Sequence, residues 1–136
     1  MSLTPQQLAD VQRTWELCVP IADTAADLFY AKLFQLDPKL RVLFPSELKE
    51  QKQRLMTMLT AVVRGLKDLG ALVPAVQALG KRHVAYGVKE QDYDTVGVAL
   101  LDTLEKGLGP NWNPQVKDAW VVVYGVLAST MKAAAT

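Results

Sequence analysis

Apolar residues recur along the chain at intervals of three and four, the period of an amphipathic helix, almost from end to end. Leu8, Val11, Trp15 and Cys18 line one face of a first segment. Thr4, Pro5 and Gln7 open it as a capping box with proline at the first helical position. Pro20 opens a second segment carrying Ile21, Ala25, Leu28, Phe29, Leu33 and Leu36. Asp37-Pro38 stops that segment and begins a short helical turn ending near Phe44. Pro45 and Ser46 break the chain, and Ser46 is placed to cap the third helix. That helix has the most regular stripe: Leu48, Gln51, Leu55, Met58, Leu59, Val62, Val63 and Leu66, with Gly70 as its expected stop. Pro74 is expected to open the fourth helix, which breaks at Gly87. A long helix with Tyr93, Val96, Leu100, Leu104 and Leu108 runs to Gly109-Pro110. Asn113-Pro114 starts the last, with Val116, Trp120, Val123, Leu127 and Met131.

No segment alternates as a strand would. The β-branched run Val121-Val122-Val123 lies inside a capped helical period and is expected to be helical. Connections are short, and no linker, repeat or low-complexity stretch intervenes. The pattern predicts one all-α domain over residues 1–136, of six to eight helices crossing ridges into grooves rather than coiling in heptads.

Composition sharpens this picture by exclusion. A chain of 136 residues, half of them hydrophobic, can bury about two thirds of its unfolded surface. The net charge is +1 and no basic run exceeds two residues, so neither nucleic acid nor an anionic membrane is an expected partner. Cys18 is the lone cysteine and forms no internal disulfide, which fits a reducing compartment. The amphipathic N-terminus is no signal peptide, and nothing approaches the roughly 18 apolar residues of a membrane helix, so a cytoplasmic protein is expected.

Chemistry then concentrates on few residues. His83 is the sole histidine, and it ends an apolar stripe with Val76 and Leu79. An imidazole so placed is either satisfied by hydrogen bonds or bound to something. With no second histidine and one cysteine, a metal held by His83 must bring most of its own ligands; haem iron is the commonest such metal. A carbonyl one turn earlier, at Leu79, is the expected acceptor for its Nδ1–H. Gln51 interrupts an apolar stripe and needs partners or a cavity, since a buried unpaired amide costs about 1–3 kcal/mol. Tyr30 shares a helix face with Ala26, Leu33 and Phe34 and needs a partner for its phenol. Each has an ordinary alternative: a satisfied core histidine, a solvated glutamine, a packed tyrosine. Asp92 and Asp94 sit at a helix start, where the dipole explains them better than acid–base work. The chain has no Gly-rich phosphate loop, CxxC or HExxH.

Taken together the segments resemble a globin. LFYAKLFQLDPKLRVLF (28–44) is similar to the second and third helices of bacterial globins and neuroglobins. LGKRHVAYGVKEQDYDTVG (79–97) resembles the proximal-histidine region of flavohaemoglobins and single-domain bacterial globins, and DAWVVVYGVLA (118–128) their last helix. The resemblance implies a globin fold around haem b, iron protoporphyrin IX, with His83 as proximal ligand. It also implies Gln51 at the distal position usually held by histidine, Leu55 over the sixth site and Tyr30 as the distal tyrosine. By the same likeness Phe44 packs on the haem face, Arg54 meets a propionate, and Val88, Tyr93 and Val96 lie on the proximal side.

Two departures accompany this likeness. Flavohaemoglobins carry a reductase after the globin domain, and this chain is expected to rely on an external one. Their last helix carries a glutamate that polarises the proximal histidine, where this sequence has Ala135. Two donors aimed at O2 each contribute about 1.5–3 kcal/mol, or roughly 10–150-fold in affinity. The resemblance therefore implies tight O2 binding and little help for CO. It leaves two functions open: nitric oxide dioxygenation, or O2 storage, buffering or sensing.

Overall fold

The computed structural model describes residues 3–44, 47–85 and 87–134. Six α-helices carry the chain: α1 (Pro5–Cys18), α2 (Ala22–Leu36), α3 (Lys49–Arg64), α4 (Leu69–Ala85), α5 (Glu90–Leu108) and α6 (Pro114–Ala134). Short 3-10 turns join several of them, and the described residues contain no strand. None of these helices is long and apolar enough to cross a membrane.

Most ends are set by local chemistry. Thr4 Oγ1 accepts the Gln7 N–H and the Thr4 N–H donates to Gln7 Oε1, both at 3.1 Å. Asp37 Oδ1 accepts from the Lys39 N–H and starts the turn Pro38–Leu43. Asp92 Oδ2 accepts from the Lys89 N–H at 2.9 Å, closing the first turn of α5. Asn113 Oδ1 does the same for the Val116 N–H in α6. Gly109, at φ 53°, ends α5 in a conformation closed to most side chains.

Three boundaries differ from expectation. α3 stops at Arg64 rather than Gly70, because the Gly65 N–H is shared between the Ala61 and Val62 carbonyls and the chain tightens into the turn Leu66–Asp68. Pro74 lies inside α4 instead of opening it. The start is supplied upstream by Asp68, whose Oδ1 accepts the Ala71 N–H. Pro20 likewise sits in a 3-10 turn, Val19–Ile21, just before α2. The expected break at Pro45 and Ser46, and Ala135, lie outside the described residues.

α2 packs along α5 and α4 along α6, while α1 crosses α6, α3 and α5. Val11, Leu33, Val63, Leu104, Val116 and Trp120 fill the centre. α1 is fastened by polar bonds through this core. Trp15 donates its indole N–H to Thr60 Oγ1, and Gln12 donates its amide to the Val63 carbonyl, both at 3.0 Å. Trp120 donates to Thr14 Oγ1 at 3.0 Å, and the Thr14 hydroxyl donates to the Asp10 carbonyl at 2.6 Å. Thr14→Val keeps the shape and leaves the Trp120 N–H buried without its acceptor. It is expected to lower stability by about 1–3 kcal/mol, read from the urea midpoint at unchanged slope.

α3 and α4 are not packed closely on each other, unlike their neighbours. The space between them is part of a large cavity.

Candidate functional site

A cavity of about 690 Å³ opens among α2, α3, α4, α5 and α6. That is within the roughly 300–1,000 Å³ typical of cofactor sites. Tyr30, Phe44, Gln51, Arg54, Leu55, Leu79, His83, Val88, Tyr93 and Val96 all line it. Residues from position 30 to position 96 are thus brought to one enclosure, with Leu33, Met58, Leu100 and Leu127 completing an apolar wall.

The α4 wall carries the imidazole. His83 is half-buried, and its Nδ1 lies 2.8 Å from the Leu79 carbonyl. A carbonyl only accepts, so Nδ1 holds the proton and Nε2 carries the lone pair. Burial, chiefly, with the nearby Arg82 charge, lowers the His83 pKa against a smaller opposing effect of the Leu79 bond. The imidazole is therefore neutral at pH 7, the form a metal requires. Tyr93 lies beside it, ring centres 6.3 Å apart and planes 25° from parallel.

The α2–α3 wall carries the polar pair. Tyr30 is 3% exposed. Phe29 and Phe44 meet its ring edge to face at 5.1 and 5.6 Å, and Phe34 lies 5.9 Å away. Burial pushes its phenol up to about 12, opposed in part by hydrogen bonding with Gln51. The phenol thus keeps its proton at physiological pH and stays a donor, with the Gln51 amide beside it. Phe44 is held in turn, since Arg41 donates to its carbonyl at 3.3 Å and stands over the Phe34 ring.

At the exposed rim, Arg54 from α3 and Arg82 from α4 both line the cavity. Arg54 also meets Glu50 at 3.5 Å. Arg82 and Tyr124 line the site without having stood out in the sequence. Arg82 is adjacent to the histidine; Tyr124 lies one turn beyond Trp120 on the last helix, a signal too common to act on.

The arrangement fits the haem implied by the sequence resemblance. A neutral imidazole with a fixed tautomer suits an iron ligand, the apolar walls suit a porphyrin's faces, and two rim cations suit its carboxylates. Fold and site thus define a small all-α protein built around a large, mostly apolar cavity lined by its one histidine. The chain belongs to the globin family, whose model matches residues 27–131. The family implies a haem cofactor and a small gas ligand such as O2.

Solved structures agree on the fold. A bacterial globin from Campylobacter jejuni is 25% identical, covering 97% of this chain and 96% of its own, with a TM-score of 0.80. An engineered carbene transferase derived from a candidate nitric oxide dioxygenase of Rhodothermus marinus superposes at a TM-score of 0.88. It is 24% identical, and the match covers 98% of this chain and 94% of that one.

Proposed function

We propose that residues 1–136 form a single-domain haem b globin that holds O2 tightly against Tyr30 and Gln51 and supports nitric oxide dioxygenation in the cytoplasm, re-reduced by an external partner. The observation that carries this reading is the distal pair itself: a buried phenol that keeps its proton, and an amide, sharing one cavity with His83. The haem, when bound, supplies a ferrous iron that takes a diatomic gas. The residues do the rest. His83 presents a neutral nitrogen, with its tautomer fixed by Leu79. Arg54 and Arg82 suit the two carboxylates at the rim. Tyr30 and Gln51 donate to the gas, favouring O2, which accumulates negative charge, over CO, which carries less. Leu55, half-buried in the same wall, limits the volume left for the ligand.

The test is to mix the reduced, O2-loaded protein with NO. Stoichiometric nitrate from one turnover is expected, followed by sustained turnover when a cellular reductase and its nicotinamide are added. Single-turnover nitrate without sustained turnover under any reductase would instead leave a protein that stores, buffers or senses O2. Failure to form nitrate even once would remove the enzymatic reading.

A further inference from the structure

His83 and its Leu79 acceptor both ride on α4, so their bond fixes the ring relative to its own helix. It does not fix α4 relative to the rest of the cavity. α6 supplies that reference by meeting α4 directly at Gly80 and by holding Tyr93 of the neighbouring α5 at two points. Tyr124 donates its phenolic O–H to the backbone carbonyl of Tyr93. The Lys132 ammonium lies 5.6 Å from the centre of the Tyr93 ring. The Met131 backbone fits directly against Gly80, three residues before His83. A Cβ at position 80 would stand 2.8 Å from Met131 Cα and 2.9 Å from its carbonyl carbon. Tyr124 and Met131 are seven residues apart and so share one face of α6.

The seat of Tyr124 is built for it. The Tyr93 carbonyl is the helical acceptor for the Gly97 N–H, so a phenol reaching that carbonyl must pass over residue 97. A Cβ there would lie 2.8 Å from Tyr124 Cε2, and glycine leaves the notch open. Burial raises the Tyr124 pKa, so the phenol remains a donor. Tyr93, held this way, is the residue whose ring lies beside the imidazole.

We propose that Tyr124 and Gly80 are positioning residues for His83, through which α6 clamps both the backbone at Tyr93 and the α4 backbone and so sets the orientation of the imidazole toward the haem. The proposal rests on His83 as the iron ligand. Gly80 determines how deep α4 sits, because its neighbour is backbone and has no flexible end to swing away. Tyr124 determines where Tyr93 stands.

The experiment compares wild type with Tyr124→Phe, Gly80→Ala and Gly125→Ala, each haem-loaded, reduced and free of gas. Resonance Raman gives the iron–imidazole stretching band, and transfer to a haem scavenger gives the rate of haem loss. Tyr124→Phe is expected to shift the band and to speed haem loss about 10-fold, the lower end for losing an outer-shell partner. Gly80→Ala should shift the band further. Gly125→Ala, where a Cβ meets nothing within 4 Å, should match wild type in both. A wild-type band in Tyr124→Phe overturns the proposal even if the variant is less stable, since the phenol then only supports the fold. Should Gly80→Ala not fold, Tyr124→Phe decides alone, because it keeps the ring in its notch. Absence of any iron–imidazole band in wild type would overturn His83 ligation and the clamp with it. A normal wild-type band that no variant moves overturns the clamp only.

Discussion

Replacing His83 by alanine is expected to abolish axial ligation and weaken haem binding beyond the roughly 10–100-fold that loss of an outer-shell partner costs. No second histidine exists to take over, and the described residues contain no cluster of three or more metal-ligating side chains. The measurement is the visible spectrum of the reduced protein titrated with haem, together with the rate of haem loss. Imidazole added to the His83→Ala protein should restore much of the spectrum, because the cavity walls remain. An unaltered coordination spectrum in His83→Ala would remove His83 from the iron. The apoprotein adds a pH signature. The folded pKa of His83 lies below its ordinary 6.5, so between the two values the unfolded chain binds more protons. This site's share of stability is complete above pH 6.5 and falls as the solution is acidified through that window. His83→Ala should flatten this part of the acid-side slope of the unfolding midpoint.

Legibility in the sequence followed the range of the interaction. Helix ends governed by a neighbouring side chain could be read directly: Thr4 with Gln7, Asp37-Pro38, Gly109-Pro110 and Asn113-Pro114. The α3–α4 boundary could not. The apolar stripe continues through Leu66 past the true stop, and Gly65 packs against Leu72, whose Cδ2 would lie 3.0 Å from a Cβ at that position. That contact exists only once the chain has turned. Pro74 misleads for a related reason. A proline is usually read as a helix start, but Asp68 already caps this one further upstream.

The site divides in the same way. The lone histidine, the odd glutamine in an apolar stripe and the tyrosine on a buried face are each visible as departures from a helical pattern. Their meeting in one cavity depends on how α2, α3 and α4 are arranged. The supports are less visible still. Tyr124 reaches a carbonyl 31 residues away, and Gly80 matters because of Met131, on another helix. A glycine inside a helix looks like a weak point until the backbone against it is known.

Tyr30→Phe is the substitution that reads the distal side most cleanly. It removes one oxygen and keeps the ring, so the edge contacts with Phe29 and Phe44 survive and the fold should change little. Gln51 is the hydrogen-bonding neighbour that acts on the phenol's titration, and it lies on the same wall of the cavity. A donor to a partly charged acceptor contributes about 1.5–3 kcal/mol, equivalent to roughly 10–150-fold in an equilibrium constant. Since related complexes differ mainly in how fast they come apart, most of this should fall on dissociation. O2 release after Tyr30→Phe is therefore expected to quicken by at least about 10-fold, while CO release changes far less because CO carries little charge to stabilise. The contrast between the gases is the decisive feature. A change equal for both would mean that the phenol acts by bulk, and no change for either would mean that it does not face the ligand. Adding Gln51→Leu tests whether amide and phenol act as one unit: if they do, the double variant should fall short of the product of the single effects.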